Sequence, residues 1–176
     1  SGCIGEGVGS EEIAFETAEQ KKTVEADAAF SALLEQFPKA KDRDTLLYEW
    51  AVVHADAGDF KSADGIYRRL LSESPKSSLA DHARFALAES DLVAGRLDTA
   101  AETFRTLAAD RTTDDEIRED ALFRLVGVNA DRNLWSKVRE FGRQLRTQFP
   151  RSRHHWELRF QLGQADLQLG EFAAAK

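Results

Sequence analysis

Four histidines and a single cysteine are the residues of this 176-residue chain best able to hold a metal or attack a carbonyl, and their spacing argues against both. His154 and His155 are adjacent, so on a helix they project about 100° apart and cannot grip one ion as an i, i+4 pair does. A surface helix start is their expected setting. His54 and His82 have no cysteine or pair of carboxylates at ligand spacing. Asp114, Asp115 and Glu116 sit together where a helix begins, a place the helix dipole favours for negative charge without any catalytic purpose. No phosphate-cradling glycine loop, nucleophile elbow or cysteine–histidine pair is legible. The residues therefore indicate a protein that is not an enzyme, with no catalytic, cofactor-binding or metal-binding side chain and no cofactor. A lone Cys3 forms no internal disulfide, so redox usage leaves the compartment open.

The elements that would position a site are helices. With 42% hydrophobic and 31% charged residues the chain can bury a sizeable core, and no run approaches the roughly 18 apolar residues of a spanning helix. Its net charge of −7 argues against nucleic acid as a partner. Most of that charge lies in residues 1–37, where eight acidic side chains face only Lys21 and Lys22. Between Pro38, Pro75 and Pro150, apolar residues recur at three and four, as in Leu46, Leu47, Trp50 and Ala51, and no stretch alternates like a strand.

The helices repeat. Ala26, Ala63 and Ala100 recur every 37 residues, and Ala175 stands in similar surroundings; Phe30, Tyr67 and Phe104 follow four residues later, Leu33, Leu70 and Leu107 seven later. A period of this length with small-then-aromatic spacing marks a helix-turn-helix solenoid, in which stacking makes the core. Gly58, Gly95 and Gly170, with Asn133 in the equivalent place, mark the turn inside each unit. Asp59 and Asp98 are expected to cap second helices, and Thr113 with Glu116 to form a capping box. The spacing predicts helix pairs at 44–57 with 60–73, 78–94 with 97–109, 116–131 with 135–148, and 153–169 with a partner left unfinished at Lys176, as in a fragment of a longer protein. Residues 10–36 lack glycine and proline and favour one helix over two. The resulting division is a flexible leader over 1–9, an N-terminal helix or half repeat over 10–43, and an array over 44–176 in units of 44–77, 78–115, 116–152 and an incomplete 153–176.

Glycine at the inter-helix turn, an aromatic or leucine two residues on (Phe60, Leu97, Trp135, Phe172), a small packing residue, then Tyr67 or Phe104, then proline: in this order the chain resembles the tetratricopeptide repeat (TPR) family over residues 26–176. The resemblance implies an all-α, right-handed α-solenoid of TPR-like repeats with period 37–38, truncated in the last, whose concave side holds a protein or peptide partner. A narrower likeness rests on Phe37-Pro38-Lys39-Ala40, Ser74-Pro75-Lys76-Ser77 and Phe149-Pro150-Arg151-Ser152. This pattern is similar to TPR domains of bacterial envelope proteins such as the Tol-Pal-associated periplasmic protein and the lipoprotein of the outer-membrane barrel assembly machinery. It implies a non-catalytic scaffold for peptide segments or subunits of a cell-envelope complex, in the periplasm or against the outer membrane. A cytoplasmic adaptor and an accessory domain of a larger enzyme are the alternatives. Ser1-Gly2-Cys3 before a glycine-rich leader looks like the end of a bacterial lipoprotein signal, which makes Cys3 a candidate for lipidation and the chain a candidate for a lipid anchor; a cloning remnant is the duller reading.

Tyr48, Phe85, Phe123 and Phe160 share one register on the first helices, with Leu92 and Leu167 seven residues further in two of them. With Arg124 beside them, and Arg84 and Arg159 in related places, they are the expected partner-binding face, suited to a peptide with apolar and acidic side chains. The competing reading makes the aromatics packing between repeats. Three departures stand out. Val138 and Gly142 replace the small residue and the aromatic of the third unit, which predicts a looser pair or one filled by Phe141. His54, Asp91, Asn129 and Asp166 form a polar row where the family has aromatics, either hydrogen-bonded or partly exposed. Trp156, Phe160 and Leu167 leave an apolar face at the end of the array that is expected to self-associate.

Overall fold

A computed structural model describes residues 8–170, with side chains from residue 21 onward. Cys3, Phe172 and Ala175 lie outside the described residues. These contain eight α-helices and no strand: α1 (Val8–Gln36), α2 (Arg43–Asp56), α3 (Phe60–Glu73), α4 (Ala80–Val93), α5 (Leu97–Ala109), α6 (Asp115–Asp131), α7 (Trp135–Gln148) and α8 (His155–Gln168). The chain divides into two compact units, residues 1–83 and 84–176, with α4 beginning in the first and continuing in the second.

In the first unit the α2–α3 hairpin buries Leu47, Ala51, Ala63, Ile66, Tyr67 and Leu70. Helix α1, unbroken over its 29 residues, lies against α2. Phe30 stacks 6.1 Å from Trp50, the Trp50 indole donates to Asp27 Oδ1 at 2.7 Å, and His54 Nε2 meets the same oxygen at 2.7 Å. The repeat register slips here. Leu33 was expected in the core beside Leu70 and Leu107, yet it is 39% exposed while Leu34 is 4% exposed. Among the described residues α1 packs on a following helix and not on a hairpin partner, so it is rolled to present the neighbouring position. Arg43 fixes that roll by donating to the Leu34 carbonyl at 3.1 Å.

The second unit has one continuous core from Ala88 to Ala165, with Phe104, Leu122, Leu125, Val126, Val138 and Leu145 at its centre. The third hairpin is not loose. Val138 is fully buried, and a Cβ on Gly142 would stand 2.7 Å from Leu162 Cδ2 and 3.1 Å from Leu158 Cδ1. Helix α8 thus fills, from the next element along, the space that an aromatic fills in the other hairpins.

The turns explain the polar row. Gly58, Gly95, Asn133 and Gly170 have φ of 76°, 73°, 56° and 74°, the left-handed values that glycine and asparagine tolerate best. In the first three, the amide following that residue donates back to the carbonyl of the row residue: Asp59 to His54 at 2.9 Å, Arg96 to Asp91 at 2.8 Å, Leu134 to Asn129 at 2.8 Å. This is the Schellman closure, whose two end residues ordinarily make an apolar contact. Here the contact is polar. His54 Nδ1 lies 3.3 Å from Asp59, and Asp91 receives Arg96 Nε at 2.7 Å. Leu134 offers Asn129 nothing polar, so Asn129 turns back to the Leu125 carbonyl at 2.6 Å. Asp166 lies 3.9 Å from Arg139. His54, Asn129 and Asp166 are buried and Asp91 lies at intermediate depth; His54, Asp91 and Asn129 are hydrogen-bonded, whereas Asp166 Oδ1 has no hydrogen-bond partner among the described residues.

Two expected caps shift. Asp59 accepts from the Ser62 amide at 3.1 Å as anticipated, but the aligned residue in the next unit is Arg96; Asp98 stands inside the first turn of α5 and pairs with Arg132 at 2.8 Å. Asp114, one residue after the buried Thr113, occupies the N-cap position of α6.

The serine of each Pro-x-Ser motif has a defined task. Ser77 Oγ donates to Asp44 in α2 at 2.5 Å and accepts from the Leu79 amide at 3.0 Å. Ser152 Oγ donates to Glu119 in α6 at 2.8 Å and accepts from the His154 amide at 3.1 Å. Each serine thereby ties the start of one first helix to the start of the preceding one, 33 residues earlier.

Two glycines test this packing. Gly65, exposed in mid α3 with nothing near its missing Cβ, gains stability on Gly65→Ala, about 0.5–1 kcal/mol from helix propensity. Gly142→Ala loses about 1–3 kcal/mol net, because Leu158 and Leu162 must move. Urea denaturation of both variants reads the difference; shifts of equal sign would show that α8 does not occupy that space.

Candidate partner-binding surface

The first-helix register meets a different neighbour in each unit. In the first unit Tyr48 is half-buried, its ring 5.7 Å from Tyr67 and 6.0 Å edge-on from His82. Burial, with help from Glu49, pushes its phenol above the usual range. In the second unit Phe85 packs edge-on against the buried Phe104 at 5.1 Å, and Leu92 lies partly buried on the same core. Phe123 is capped by the His154 ring, parallel to it at 3.9 Å. Phe160 and Leu167, by contrast, stand 70% and 51% exposed. Phe85, Leu92 and Phe123 are therefore packing residues with free edges, whereas Phe160 and Leu167 belong to surface.

The cations are largely spoken for. Arg124 pairs with Glu89 at 2.7 Å. Arg153 donates to Glu116 at 3.0 Å and also to Asp120, which accepts from His154 Nε2 at 2.7 Å. Arg159 lies over the Trp156 ring, 5.7 Å from its centroid. The field of Arg84 acts on Asp110, whose carboxyl is held below its ordinary range first by hydrogen bonds from Thr112 and then by Arg84 and Arg118. An acidic peptide would have to displace internal carboxylates to reach Arg124.

Sequence reasoning missed two arrangements. His154 was expected on a plain helix surface; it is a half-buried plug between Phe123 and Asp120. His54 has no pair of carboxylates at ligand spacing in the sequence, yet in the fold Asp27 and Asp59 flank its two nitrogens. The signal was an acid one residue after the packing alanine, 27 residues before His54, which no local pattern connects. The two carboxylates meet different ring nitrogens: Asp27 ties α1 to α2, and Asp59 stands at the N-cap of α3. Among the described residues no three His, Cys, Asp or Glu side chains converge on a metal position, and no helix is long and apolar enough to cross a membrane.

The hairpin α2–α3 supplies the deciding comparison: residues 45–77 match the sequence model of the tetratricopeptide repeat. Over these residues the chain is similar to a tetratricopeptide repeat. The whole fold is similar to that of the nearly identical TPR-like repeats of a Podosopora anserina protein assigned as a kinesin light chain, with a TM-score of 0.67 at 13% identity over 92% of this chain and 84% of that one. A TPR protein from Parabacteroides merdae ATCC 43184 is also similar, with a TM-score of 0.48 at 15% identity over 93% of this chain and 73% of that one. No curated protein matches the chain in sequence. The Podosopora likeness shows an all-α repeat solenoid of TPR-like hairpins.

Glu89 offers a check on the surface electrostatics. Its burial raises the carboxyl pKa more than the Arg124 guanidinium lowers it. A carboxyl raised in the folded state costs stability above its folded pKa and ceases to cost it below the unfolded value. Lowering the pH from neutral through the carboxylate range should therefore favour the wild-type chain relative to Glu89→Gln, read as the change in their Tm difference. A difference that moves the other way would show that the Arg124 pair outweighs burial.

Proposed function

We propose that this chain is a non-catalytic protein-interaction scaffold that holds apolar peptide segments or subunit surfaces along the first helices of its second unit, within a bacterial cell-envelope assembly. The observation that carries the interaction is the row of Phe85, Leu92 and Phe123, packed on one side and open at its edges, beside cations already neutralised by Glu89, Glu116 and Asp120. Apolar contact, more than charge, is what this face offers. The envelope context is supported by the Pro-x-Ser junctions and by Cys3 at the head of a glycine-rich leader, which together favour periplasmic or outer-membrane placement through a lipid anchor.

A peptide array probed with the labelled chain should select apolar segments with no requirement for acidic residues. Leu92→Ala and Phe123→Ala should each weaken a selected peptide about tenfold, the scale of a central contact. Selection of acidic peptides, or indifference to both substitutions, would overturn the assignment of the face. For the anchor, radiolabelled palmitate should mark the full-length protein in its host and fail to mark Cys3→Ser; an unlabelled wild type would remove the lipid anchor from the reading.

A further inference from the structure

The outward side of α8 carries an apolar seam touched, among the contacts above, only by Arg159 over the Trp156 ring. Trp156, Phe160, Gly163 and Leu167 are spaced by four, three and four residues, the a/d rhythm of paired helices, and lie about 180° around the helix from Leu158, Leu162 and Ala165, which fill the core. Trp156 is 67% exposed, and a Cβ on Gly163 would touch nothing. Exposed apolar stripes of this kind on a folded chain mark contact sites.

The same register in α6 is filled differently. Glu119, Phe123, Val126 and Ala130 stand there; Glu119 receives Ser152 Oγ and the Arg153 amide, His154 covers Phe123, and Val126 is buried. In α8 the acid that would receive a junction serine is replaced by Trp156. Another hairpin of the Pro-x-Ser kind would bring its hydroxyl to an indole face, so the seam suits an apolar neighbour instead.

The order of sizes along the seam indicates which neighbour. When two copies are laid antiparallel about a two-fold axis level with residues 161 and 162, Phe160 of one falls opposite Gly163 of the other, and Trp156 opposite Leu167. Each ring meets a smaller residue. A parallel alignment sets Phe160 against Phe160 and Gly163 against Gly163, a clash beside a void. Beside the seam stand the neutral amides of Gln161, Gln164 and Gln168, with Glu157 and Arg159 opposite in sign, so two copies bring no block of like charge together. We propose that this seam is a self-complementary docking face for a second copy of the chain, paired antiparallel through α8. It uses residues other than the Leu92 and Phe123 edges assigned to peptides, so either reading can fail alone.

Sedimentation equilibrium of the 176-residue chain should show a reversible dimer, with a dissociation constant on the order of micromolar for so small an interface. Phe160→Glu and Gly163→Glu should each weaken it by about 100-fold or more, through burying an unpaired charge. Gly163→Glu is the cleaner variant, because among the described residues nothing lies within 4 Å of a Cβ at that position, and helicity and Tm should hold. With Cys3→Ser in both partners, a mixture of Phe160→Cys and Gly163→Cys chains should form the mixed disulfide in preference to either like pair, while Leu92→Ala and Phe123→Ala leave dimerisation unchanged. A chain that stays monomeric at millimolar concentration, a dimer indifferent to both glutamates, or a predominance of like pairs would overturn the proposal. So would a longer form of the protein that is monomeric where this one dimerises, since its own continuation would then own the seam.

Discussion

Everything in this fold depends on how closely the two helices of a hairpin approach, and in the first two hairpins that approach is governed by one buried alanine in the second helix. Ala63 and Ala100 are almost wholly buried, and four residues further on Tyr67 and Phe104 are buried as well. The separation of packed helices follows the side chains at their contact, so an alanine there leaves room for a large ring one turn later. The third hairpin shows that the two positions trade volume. Val138 is larger than alanine, and Gly142 gives up the ring entirely, so that Leu158 and Leu162 enter from α8. A core keeps its density when volume is moved rather than lost.

Between hairpins the work passes from apolar contact to directed hydrogen bonds. The first three closing turns satisfy the carbonyls of a first helix with the amide that follows the left-handed residue, and in two of them a polar side-chain contact, His54 with Asp59 and Asp91 with Arg96, spans the same closure. Each junction serine then uses one hydroxyl twice, donating to an acid of the preceding helix and accepting an amide at the next helix start. Apolar burial fixes how near two helices lie, but says little about where one starts relative to another. The serine–acid bond supplies that register, which is why it recurs at the same 33-residue separation in both units.

What could be read from the sequence follows the same division. Periodicity exposes features that repeat, so the helix bounds, the turn glycines and Asn133 were legible to within two residues. Exceptions to the period were not. Asp98 resembles Asp59 in type but sits two residues further from its turn glycine, inside the helix. Leu33 keeps the register of Leu70, yet α1 has no hairpin partner to enforce it. The filling of Gly142 came from residues 16 and 20 positions away on another helix, and the Asp27–His54 bond from 27 positions away, distances that only a three-dimensional arrangement shortens. The polar row had a local signature after all: residues five apart, His54 with Asp59 and Asp91 with Arg96, are complementary in hydrogen bonding, and that pairing has meaning only once the turn is known to bring them together.

The binding face illustrates why repeats alone do not define a site. One register position is a core-packed ring at Phe85, a ring covered by histidine at Phe123 and a free ring at Phe160, although all three are phenylalanine on equivalent helices. What remains for a partner is whatever the neighbouring unit has left uncovered, and that depends on residues such as Ser152 and His154 that lie outside the register. The same holds for charge: Arg124 and Arg153 are neutralised by Glu89, Glu116 and Asp120 before any ligand arrives. A surface whose charges are internally matched contributes little long-range steering, and what it binds is held by contact area. Association with this face should therefore respond weakly to salt and strongly to the removal of a single apolar side chain, the opposite of what its arginine-flanked sequence first implies.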